Sequence, residues 1–350
     1  MKVAITGGTG FIGSHCVAQA VEAGHQVRML VRNPGKAQTA LRLHNVPVTS
    51  VEIVEADLTD HSALRSGLGG VDAVVHSAAV FSLSPLDGRS MLEVNPASTE
   101  AILAEAAALR LDPIVYVSTA GAFMPLTGDP INAESPLSEG CGPYTRSKIA
   151  AEHIARRYQA QGQPVVCIYP GGVIGPRDPN ADLSDSMALV TLIVKRNTAL
   201  MPGGARLSIV DVRDVAKACV GSLEAGRGPR RYHLWGEPAQ LEEMVGIVSE
   251  VTGREIRFRQ IPLSVVDVAG WVAELTTRAT RVRLPLCVES ARLFTQNARS
   301  GGPGRIDEAP AQGDFGFPEY TLTTSLRDTV HWLAETGHLR PDQAGTLTVS

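Results

Sequence analysis

A glycine-rich turn directly after a short apolar run constrains the fold of this chain more than any other feature. Residues 6–13 read Thr-Gly-Gly-Thr-Gly-Phe-Ile-Gly and follow the strand-like residues 2–5. Gly7, Gly10 and Gly13 permit a tight turn and a close backbone approach, so the following helix directs its free N–H groups and its positive dipole end at a pyrophosphate. A strand before the glycines and a helix after them form the context of a dinucleotide-binding unit.

Short β-branched runs alternate with helical patterns through the first half of the chain. The predicted strands are Val3–Thr6, Val27–Val31, Val51–Val54, Ala73–His76, Ile114–Ser118 and Val165–Tyr169. Runs of this kind with little polar alternation indicate a parallel sheet that is covered by helices on both faces. With right-handed crossovers they predict an α/β protein with a doubly wound parallel sheet, the Rossmann fold.

Proline and glycine interrupt this pattern after Pro170, which indicates loops that leave the sheet. We therefore predict a dinucleotide-binding Rossmann domain at 1–170, which includes the helix of Tyr144 and Lys148, and a smaller mixed α/β substrate lobe at 171–350. Residues of about 205–235 are expected to return to the first domain. The lobe is predicted to contain helices near 184–197, 239–252, 264–280 and 323–335, strands near 207–211, 231–235 and 256–260, and an extended loop at 297–314.

Charge and composition exclude several classes of function. The formal net charge is -4, so the chain has no basic footprint for nucleic acid. The 5 cysteines are scattered without a Cys-x-x-Cys pair, which argues against a disulfide framework and against a zinc site. His76, His153 and His233 have no partners at metal-ligand spacing, so we expect no metal.

The sequence shows no targeting or membrane-spanning pattern. A strand pattern begins at Lys2 without a charged leader and an apolar segment before it, and no uninterrupted apolar run reaches about 18 residues. We expect a cytoplasmic protein without stable membrane insertion, whose partner is a small-molecule substrate.

The end of the second predicted strand indicates which dinucleotide is bound. A carboxylate that takes both ribose hydroxyls is expected about 20 residues beyond the glycines, whereas this sequence has Arg32 there. A guanidinium holds a 2′-phosphate in a fork, so NADP(H) is favoured and NAD(H) remains possible. Lys36 either assists or only faces solvent. Asp57 either accepts a hydrogen bond from the adenine amino group or caps the helix that begins near Asp60.

Tyr144 and Lys148 stand four residues apart in a predicted helix. Residues at i and i+4 share a helix face, so the ammonium group can lie near the phenol and favour its anion. A free tyrosine titrates near pH ~10, and lowering its pKa by about three units takes roughly 4 kcal/mol. The pair predicts proton transfer in redox chemistry, although an exposed helix also produces such a pair by chance.

Several segments in the same order resemble the extended short-chain dehydrogenase/reductase family of the NAD-dependent epimerase/dehydratase type. The resemblance covers nearly the whole chain. The matching segments are 6–13, Asp57-Leu58, His76–Ala79, Asn95, Ser118–Ala120, Tyr144–Lys148, Tyr169-Pro170, Gly175-Pro176, 210–216, 315–318 and 326–332. The segments 27–32 and 118–121 are most similar to dihydroflavonol 4-reductases and 3β-hydroxysteroid dehydrogenases.

The resemblance implies a role for each matching position. Tyr144 would be the proton donor or acceptor, Lys148 would lower the pKa of Tyr144 and bind the nicotinamide ribose, and Thr119 would hold the reacting oxygen. Asn95 would be a structural residue, next to an unusual Pro96. The cofactor-binding positions are Gly7, Gly10, Phe11, Ile12, Gly13, Arg32, Lys36, Asp57, Leu58, Ser77, Ala78, Ala79, Tyr144, Lys148, Pro170 and Val173.

Three functions are compatible with the sequence. The first is an NADP-dependent carbonyl reductase or alcohol dehydrogenase for a small, largely apolar ketone or alcohol, such as a dihydroflavonol-like or steroid-like compound. The second is a sugar or sugar-nucleotide epimerase with tightly bound NAD(P), and the third is a non-catalytic dinucleotide-sensing binding protein. The first is favoured by apolar residues after the fourth and fifth strands, which either bind substrate or pack under the small lobe. These residues are Phe81, Phe123 and Met124 as substrate-binding candidates, with Leu83 and Leu126 beside them.

Two further segments of the sequence bear on whether the protein binds a membrane or a second copy of itself. Residues 265–283 combine Trp271 with several arginines, which fits either a membrane-surface helix or, as we favour, a lid over the substrate pocket. In the resembled family, helices that correspond to residues 90–110 and 144–160 often pair in a dimer, so a homodimer is possible. The alanine-rich residues 101–108 either allow that close approach or are buried within the monomer.

Overall fold

The fold is that of a computed structural model, which describes residues 1–124, 130–180, 184–236, 238–284, 286–302 and 304–347. All six strands predicted for the first half are present, and their ends agree with the prediction within one residue. The strands are β1 (Lys2–Thr6), β2 (Gln26–Val31), β3 (Val51–Glu55), β4 (Ala73–His76), β5 (Ile114–Val117), β6 (Val165–Pro170), β7 (Gly172–Ile174), β8 (Thr198–Pro202), β9 (Arg206–Asp211), β10 (Arg230–Leu234), β11 (Pro238–Gln240) and β12 (Arg257–Ile261).

The central element is a 7-stranded sheet with the order β10-β6-β5-β4-β1-β2-β3. Every neighbouring pair in it is parallel. The chain runs outward from β1 to β3 and then returns to β4 on the other side of β1, so the direction of winding reverses between β1 and β4. The predicted doubly wound Rossmann fold is confirmed, and a reversal of this kind is where such sheets bind ligands.

Several helices begin at local capping signals. Asn33, Asp60 and Asp211 each accept a backbone N–H in the first turn of the helix that follows them, as N-cap residues do. The helices are α1 (Phe11–Glu22), α2 (Pro34–Leu43), α3 (His61–Leu68), α4 (Gly88–Ala108), α5 (Pro143–Ala160), α6 (Asp185–Val194), α7 (Val212–Gly221), α8 (Leu241–Thr252), α9 (Leu263–Thr280), α10 (Val288–Arg299), α11 (Ala309–Phe315), α12 (Leu322–Glu335) and α13 (Pro341–Ala344).

Side chains of β1 alternate between two apolar clusters on opposite faces of the sheet. Val3 and Ile5 pack with Val17 of α1 and with α7. Ala4 belongs to the other cluster, which contains Ile102 of α4 and residues of α3 and α5. Because successive strand residues point to opposite faces, this arrangement covers the sheet on both sides and explains its nearly continuous apolar strands.

The C-terminal half forms a third apolar cluster, in which α6, α8 and α12 pack together. Two small sheets lie in this half, one with the order β11-β9-β7 and one that pairs β12 with β8. The strand β10 instead joins the central sheet beside β6.

The prediction of an extended loop at 297–314 is wrong at both ends. Helix α10 continues to Arg299, and α11 occupies Ala309–Phe315. The glycines at 301 and 302 follow the end of α10 and both have positive φ, so they mark the end of a helix. Similarly, residues 239 and 240 of the predicted helix 239–252 belong to β11, and the helix starts at Leu241.

Candidate active site

The glycine turn is packed against the loop that follows β4. Thr6 and His76 are register partners at the carboxyl ends of β1 and β4, where the winding of the sheet reverses. A Cβ atom on Gly7 would lie 2.6 Å from Ala78 N, and a Cβ atom on Gly13 would lie 2.6 Å from Ser77 Oγ. Gly7 also has a φ of 72°, which other residues rarely adopt. The turn therefore requires glycine at these positions.

The N-terminus of α1 offers free donors to an anion. Its N-cap residue is Gly10, which has no side chain to accept a hydrogen bond, and the first turn of the helix contains no acidic residue. Phe11 is buried, and Ile12 is partly buried against two of the apolar clusters. These residues fit the pyrophosphate of a dinucleotide, because the helix start is uncapped and the backbone beside it is open to close approach.

Buried polar groups hold the two strand ends together at this site. Ser77 Oγ donates to Thr6 O at 2.9 Å, and His76 Nδ1 lies 2.8 Å from Thr6 Oγ1. Burial, assisted by the nearby Lys148 charge, lowers the pKa of His76 to about 3. His76 is therefore neutral at pH 7 and serves as a hydrogen-bonding residue. The predicted cofactor contact Ala79 is exposed beside these residues.

The predicted 2′-phosphate site lies at the ends of β2 and β3. Arg32 is exposed directly after β2, and its charge contributes to a lowered pKa of Asp57, which is caused first by hydrogen bonds from Thr59. Asp57 Oδ1 accepts Thr59 N at 2.9 Å and Thr59 Oγ1 at 2.7 Å. Because Asp60 caps α3, the alternative that Asp57 caps this helix is wrong.

The two predicted cofactor contacts beside this site, Lys36 and Leu58, have different environments. Lys36 has an exposed side chain in the first turn of α2, and its backbone N–H donates to Asn33 Oδ1 at 3.2 Å. Leu58 is partly buried and packs against the apolar cluster around Ile102. Either residue can still border a bound nucleotide, since both lie at the carboxyl edge of the sheet.

Tyr144 and Lys148 both lie in the first two turns of α5. Lys148 is buried, its Nζ donates to Val117 O at 2.9 Å, and Nζ lies 4.8 Å from the centre of the Tyr116 ring. Burial lowers the pKa of Lys148 to about 8, while the Glu152 carboxylate opposes this shift. A buried ammonium group on the same helix face as Tyr144 is the arrangement that favours a phenolate.

Thr119 lies two residues beyond the end of β5. Its Oγ1 accepts the N–H of Gly121 at 3.1 Å, and the residue is partly exposed, whereas the adjacent Ser118 is buried. A short 3-10 turn at Ala120–Phe123 begins after Thr119. Of the two neighbouring hydroxyls, Thr119 is therefore the one that can reach a ligand.

Asn95 connects the loop after β4 to the Tyr144 helix. Its Oδ1 accepts Val80 N at 2.7 Å, and its Nδ2 donates to Val80 O and to Ser147 Oγ, each at 2.9 Å. Helix α4 continues through Pro96 in spite of the missing N–H. These bonds fix the position of the loop that carries Phe81.

Glu289 of α10 is a site residue that the sequence did not reveal. Its carboxylate accepts the backbone N–H groups of Tyr144 at 3.1 Å and Thr145 at 2.8 Å, and also Thr145 Oγ1 at 3.0 Å. Glu289 is buried, and a Cβ atom on Gly142 would lie 2.6 Å from its Cβ. Glu289 thus caps the N-terminus of α5 from a distant part of the chain, and no local pattern signals this contact.

The predicted substrate-binding residues have different environments. The Phe81 ring is 46% exposed and meets the Tyr144 ring edge-on, with 4.6 Å between the ring centres. Met124 is partly exposed. The prediction for Phe123 is wrong, because its side chain is buried in the core against Tyr169 and Trp235. Leu126 lies outside the described residues.

The predicted nicotinamide contacts lie where β6 ends. Pro170 is the buried last residue of β6, and Val173 is partly buried in β7, paired with Val210 of β9. Their placement next to the carboxyl ends of β5 and β6 keeps them candidates for that role.

The histidines at positions 76, 153 and 233 lie in three different environments. His76 is hydrogen-bonded to Thr6, and His233 is buried among the rings of Phe123, Tyr169 and Trp235, while His153 is exposed on α5. Within the described residues, no group of three or more His, Cys, Asp or Glu side chains is arranged to hold a metal ion.

A glycine cradle at the winding reversal, next to a helix with Tyr144 and buried Lys148, defines a nicotinamide-dinucleotide enzyme of the Rossmann class. The chain belongs to the NAD dependent epimerase/dehydratase family, whose model matches residues 3–234. Within that family it is an extended short-chain dehydrogenase/reductase, an NAD(P)-dependent oxidoreductase. The interpretation as a non-catalytic sensor is therefore not retained.

Individual relatives include both reductases and epimerases. The chain is 30% identical to the "Putative dihydroflavonol 4-reductase" of Synechocystis sp. over 345 residues. This alignment covers 96% of this chain and 95% of the relative. It is 29% identical over 356 residues to cinnamoyl-CoA reductase 1 of Arabidopsis thaliana, and that alignment covers 97% of this chain and 91% of the relative. A solved structure of UDP-glucose-4-epimerase from Stenotrophomonas maltophila with bound NAD matches with a TM-score of 0.75 at 20% identity. The match covers 97% of this chain and 99% of that chain, and it shows that the two proteins share a fold.

Proposed function

We propose that the protein is an NADP-dependent carbonyl reductase or alcohol dehydrogenase for a small, largely apolar ketone or alcohol. The observation that carries the proposal is the buried Lys148 ammonium group one helical turn from Tyr144, whose ring meets the half-exposed ring of Phe81. Relatives named for a dihydroflavonol, a sterol and a farnesylated quinoline oxide support an apolar substrate of the dihydroflavonol-like or steroid-like class.

In the proposed reduction, Tyr144 donates its phenolic proton to the carbonyl oxygen. A nicotinamide dinucleotide held by the glycine turn would supply the hydride for the carbonyl carbon. Lys148 stabilises the resulting phenolate, and Thr119 Oγ1, which accepts Gly121 N–H, can donate its own hydrogen to the reacting oxygen. In the oxidation of an alcohol, the same groups act in the opposite direction. Proton transfer by a positioned group of this kind contributes roughly 10² to 10⁴-fold to the rate.

The preference for NADP(H) is proposed from the carboxyl end of β2. Arg32 is exposed there, and the first turn of α2 contains no acidic residue, so a 2′-phosphate would meet a guanidinium and a helix N-terminus. The solved relatives with bound NAD show that the family fold also accepts a dinucleotide without this phosphate.

A sugar-nucleotide epimerase is the second candidate, supported by 25% identity over 303 residues to the UDP-glucose 4-epimerase of Dictyostelium discoideum. Such an enzyme would interconvert two sugars with a cofactor that stays bound, without net consumption of NADPH. The two functions therefore differ in whether the dinucleotide is a consumed substrate.

A substrate screen tests these alternatives directly. Absorbance of NADPH and NADH would be followed with steroids, flavonoid-like ketones, aldehydes and UDP-sugars, and we expect NADPH oxidation with an apolar ketone.

Tyr144→Phe should lower kcat at least about 100-fold while the affinity for NADPH stays within a few-fold. Tyr158→Phe, on the same helix but bonded to Glu100, is the matched control. Interconversion of UDP-sugars without NADPH oxidation, or full activity of Tyr144→Phe, would contradict the proposal.

A homodimer through α4 and α5 is a further part of the proposal. Within the monomer these helices pack against each other, and Ala101 and Ala106 are buried. A second copy would therefore use the outer faces of these helices, which include the half-exposed Leu92. Size-exclusion chromatography with light scattering tests it, and a monomeric mass would rule it out.

A further inference from the structure

Helix α9 is attached to the molecule along one narrow side. Its buried residues are Val266, Gly270 and Thr277, which lie on one side of the helix. A Cβ atom on Gly270 would lie 2.6 Å from Ala291 Cβ, so the absence of a side chain lets α9 approach α10 closely. This packing fixes which side of α9 faces outward.

The outward side of α9 is strongly apolar. We define the α9 apolar face as five side chains that are each between 51% and 65% exposed: Val265, Val268, Trp271, Val272 and Leu275. Exposed Val282 and Leu284 continue the apolar surface beyond the end of the helix. A lid would turn these side chains towards a pocket, so their outward orientation favours docking to something outside the monomer. Contiguous exposed apolar patches of this kind mark interaction sites.

The exposed charges around the α9 apolar face are positive. The two acidic residues of the helix are only partly exposed: Asp267 pairs with Arg299 and Thr295, and Glu274 accepts Val288 N–H at 3.1 Å and pairs with Arg278 at 2.8 Å. The exposed charged residues between positions 259 and 284 are all arginines, namely Arg259, Arg278, Arg281 and Arg283. The surface therefore combines apolar side chains with positive charge.

A second copy of this chain is a poor complement to this surface. If two α9 helices paired in parallel, their arginine-rich ends would meet. If they paired antiparallel, Arg278 and Arg281 of one copy would lie near the N-terminus of the other helix, which has a positive partial charge and no acidic residue in its first turn. Arg278 and Arg283 already pair with Glu274 and Asp87 within the chain, whereas Arg259 and Arg281 form no ion pair with the described residues, and neither arrangement supplies negative charge to these two.

We propose that the α9 apolar face docks the protein on an anionic lipid surface. The helix has 18 residues, hence a length of about 27 Å, and would lie in the membrane plane with its apolar side chains in the acyl boundary and its arginines at lipid phosphates. In the described part of the chain, no helix is long and apolar enough to cross a membrane, so the attachment is peripheral.

Docking through α9 would place the candidate active site close to the lipid. Arg283, three residues beyond α9, donates to both carboxylate oxygens of Asp87 at 2.7 and 3.0 Å. Asp87 also accepts Ser82 Oγ at 2.7 Å, in the loop that carries Phe81. An apolar molecule in the bilayer would thus be near the loop that borders Tyr144. The docking itself is independent of the proposed reaction, because lipid binding is measured without substrate.

Co-sedimentation of the full chain with phosphatidylglycerol/phosphatidylcholine vesicles, compared with pure phosphatidylcholine vesicles, tests the proposal. We expect binding to the anionic vesicles that weakens with added salt. Trp271 is the exposed tryptophan, while Trp235 and Trp332 are buried, so a blue shift of tryptophan emission on binding should disappear in Trp271→Phe.

Two sets of variants identify the surface that binds. Val268→Ser/Trp271→Ser/Leu275→Ser should weaken vesicle binding roughly tenfold or more, because three apolar side chains no longer enter the lipid. Leu192→Ser/Leu200→Ser removes exposed leucines elsewhere and should bind like the wild type. Arg259→Gln/Arg281→Gln should reduce the preference for anionic vesicles. Circular dichroism checks that each variant is folded.

Three results would overturn the proposal. The first is a wild-type protein that binds neither type of vesicle. The second is equal binding by the wild type and the triple serine variant. The third is a wild-type dimer that becomes monomeric in the triple variant without any vesicle binding, which would assign the α9 apolar face to a second copy.

Discussion

The carboxylate of Glu289 accepts the backbone N–H of Tyr144 at 3.1 Å, although the two residues are 145 positions apart in the chain. The first turn of α5 is therefore held by a charge from the C-terminal half. Since α5 carries both Tyr144 and Lys148, the placement of the phenol depends on a residue that has no contact with substrate in the proposed reaction. Glu289 is a positioning residue.

Replacement of Glu289 tests this role. Glu289→Gln should lower the free energy of unfolding by about 1–3 kcal/mol, because the buried amide groups of α5 lose a charged acceptor. We also expect kcat to fall about tenfold while the KM for NADPH stays within a few-fold, since the glycine turn is untouched. Glu243→Gln, in the exposed first turn of α8, is the control. A purely structural role would lower stability and leave kcat of the folded fraction unchanged.

Gly142 should be intolerant of a side chain for a steric reason. Its φ of -167° is extended and open to any residue, but a Cβ atom there would lie 2.6 Å from Glu289 Cβ. Gly142→Ala should therefore displace Glu289 and lower both Tm and kcat. Gly246→Ala in α8, where a Cβ atom meets no atom within 4 Å, should be neutral or stabilising by about 0.5–1 kcal/mol. Equal Tm values for the two variants would disprove the steric argument.

The pH dependence of reduction should reflect the lowered pKa of Lys148. Burial lowers this pKa to about 8, so the ammonium charge is present at neutral pH and is lost as the pH rises through that value. We expect kcat for ketone reduction to decline above about pH 8. Lys148→Arg, which stays charged, should move the decline to higher pH, and Lys148→Met should lower kcat at every pH. A wild-type profile that is flat through this range would contradict the role of the charge.

Arg32 should determine the cofactor preference. Arg32→Ser removes the guanidinium from the end of β2, and we expect the KM for NADPH to rise about 10- to 100-fold with little change for NADH. Lys36→Ser, in the first turn of α2, shows whether the lysine assists. An unchanged ratio of kcat/KM for NADPH and NADH in Arg32→Ser would remove the argument for NADP(H).

Four buried histidines should make the fold sensitive to mild acid. Burial lowers the pKa from 6.5 to about 4 for His15 and His233 and to about 3 for His44 and His76. Below pH 6.5 the unfolded chain binds protons that the folded chain does not, so stability is full above that pH and falls as the pH drops towards 4.

Each such histidine lowers the free energy of unfolding by about 1.4 kcal/mol per pH unit within this window. Urea unfolding of the wild type and His44→Gln at several pH values measures the difference, and the variant should lose stability less steeply. Parallel curves for the two proteins would show that His44 is protonated in the folded state.

Local patterns in the sequence predicted the central sheet and the glycine turn. The strands of the first half are mostly apolar runs, although β2 contains Arg28 and β3 contains Glu52, and the turn is set by Gly7, Gly10 and Gly13, so both depend on neighbouring residues alone. The surroundings of Tyr144, in contrast, depend on residues that are distant in the sequence. Glu289 reaches the helix across 145 positions, and its own neighbourhood resembles an ordinary helix start.

The errors have the same physical origin. Phe123 looks like a loop residue in sequence, yet it is buried because His233 and Trp235, which are more than 100 positions later, pack against its ring. The glycines at 301 and 302 predict an extended loop because their pattern does not show that α10 leads directly to them. Tertiary contacts, rather than local preference, decided both cases.

The position of β10 affects how the chain folds during its synthesis. All residues of β6 are buried, and β10, which lies at the edge of the sheet, is synthesised about 60 residues later. A nascent chain that ends near Pro170 therefore exposes the backbone of β6 as an open edge, which invites pairing with other chains. The first 170 residues can be read as a nucleotide-binding domain, but they should aggregate when expressed alone. Ribosome-bound chains would become protected from such pairing only after residue 234 has emerged.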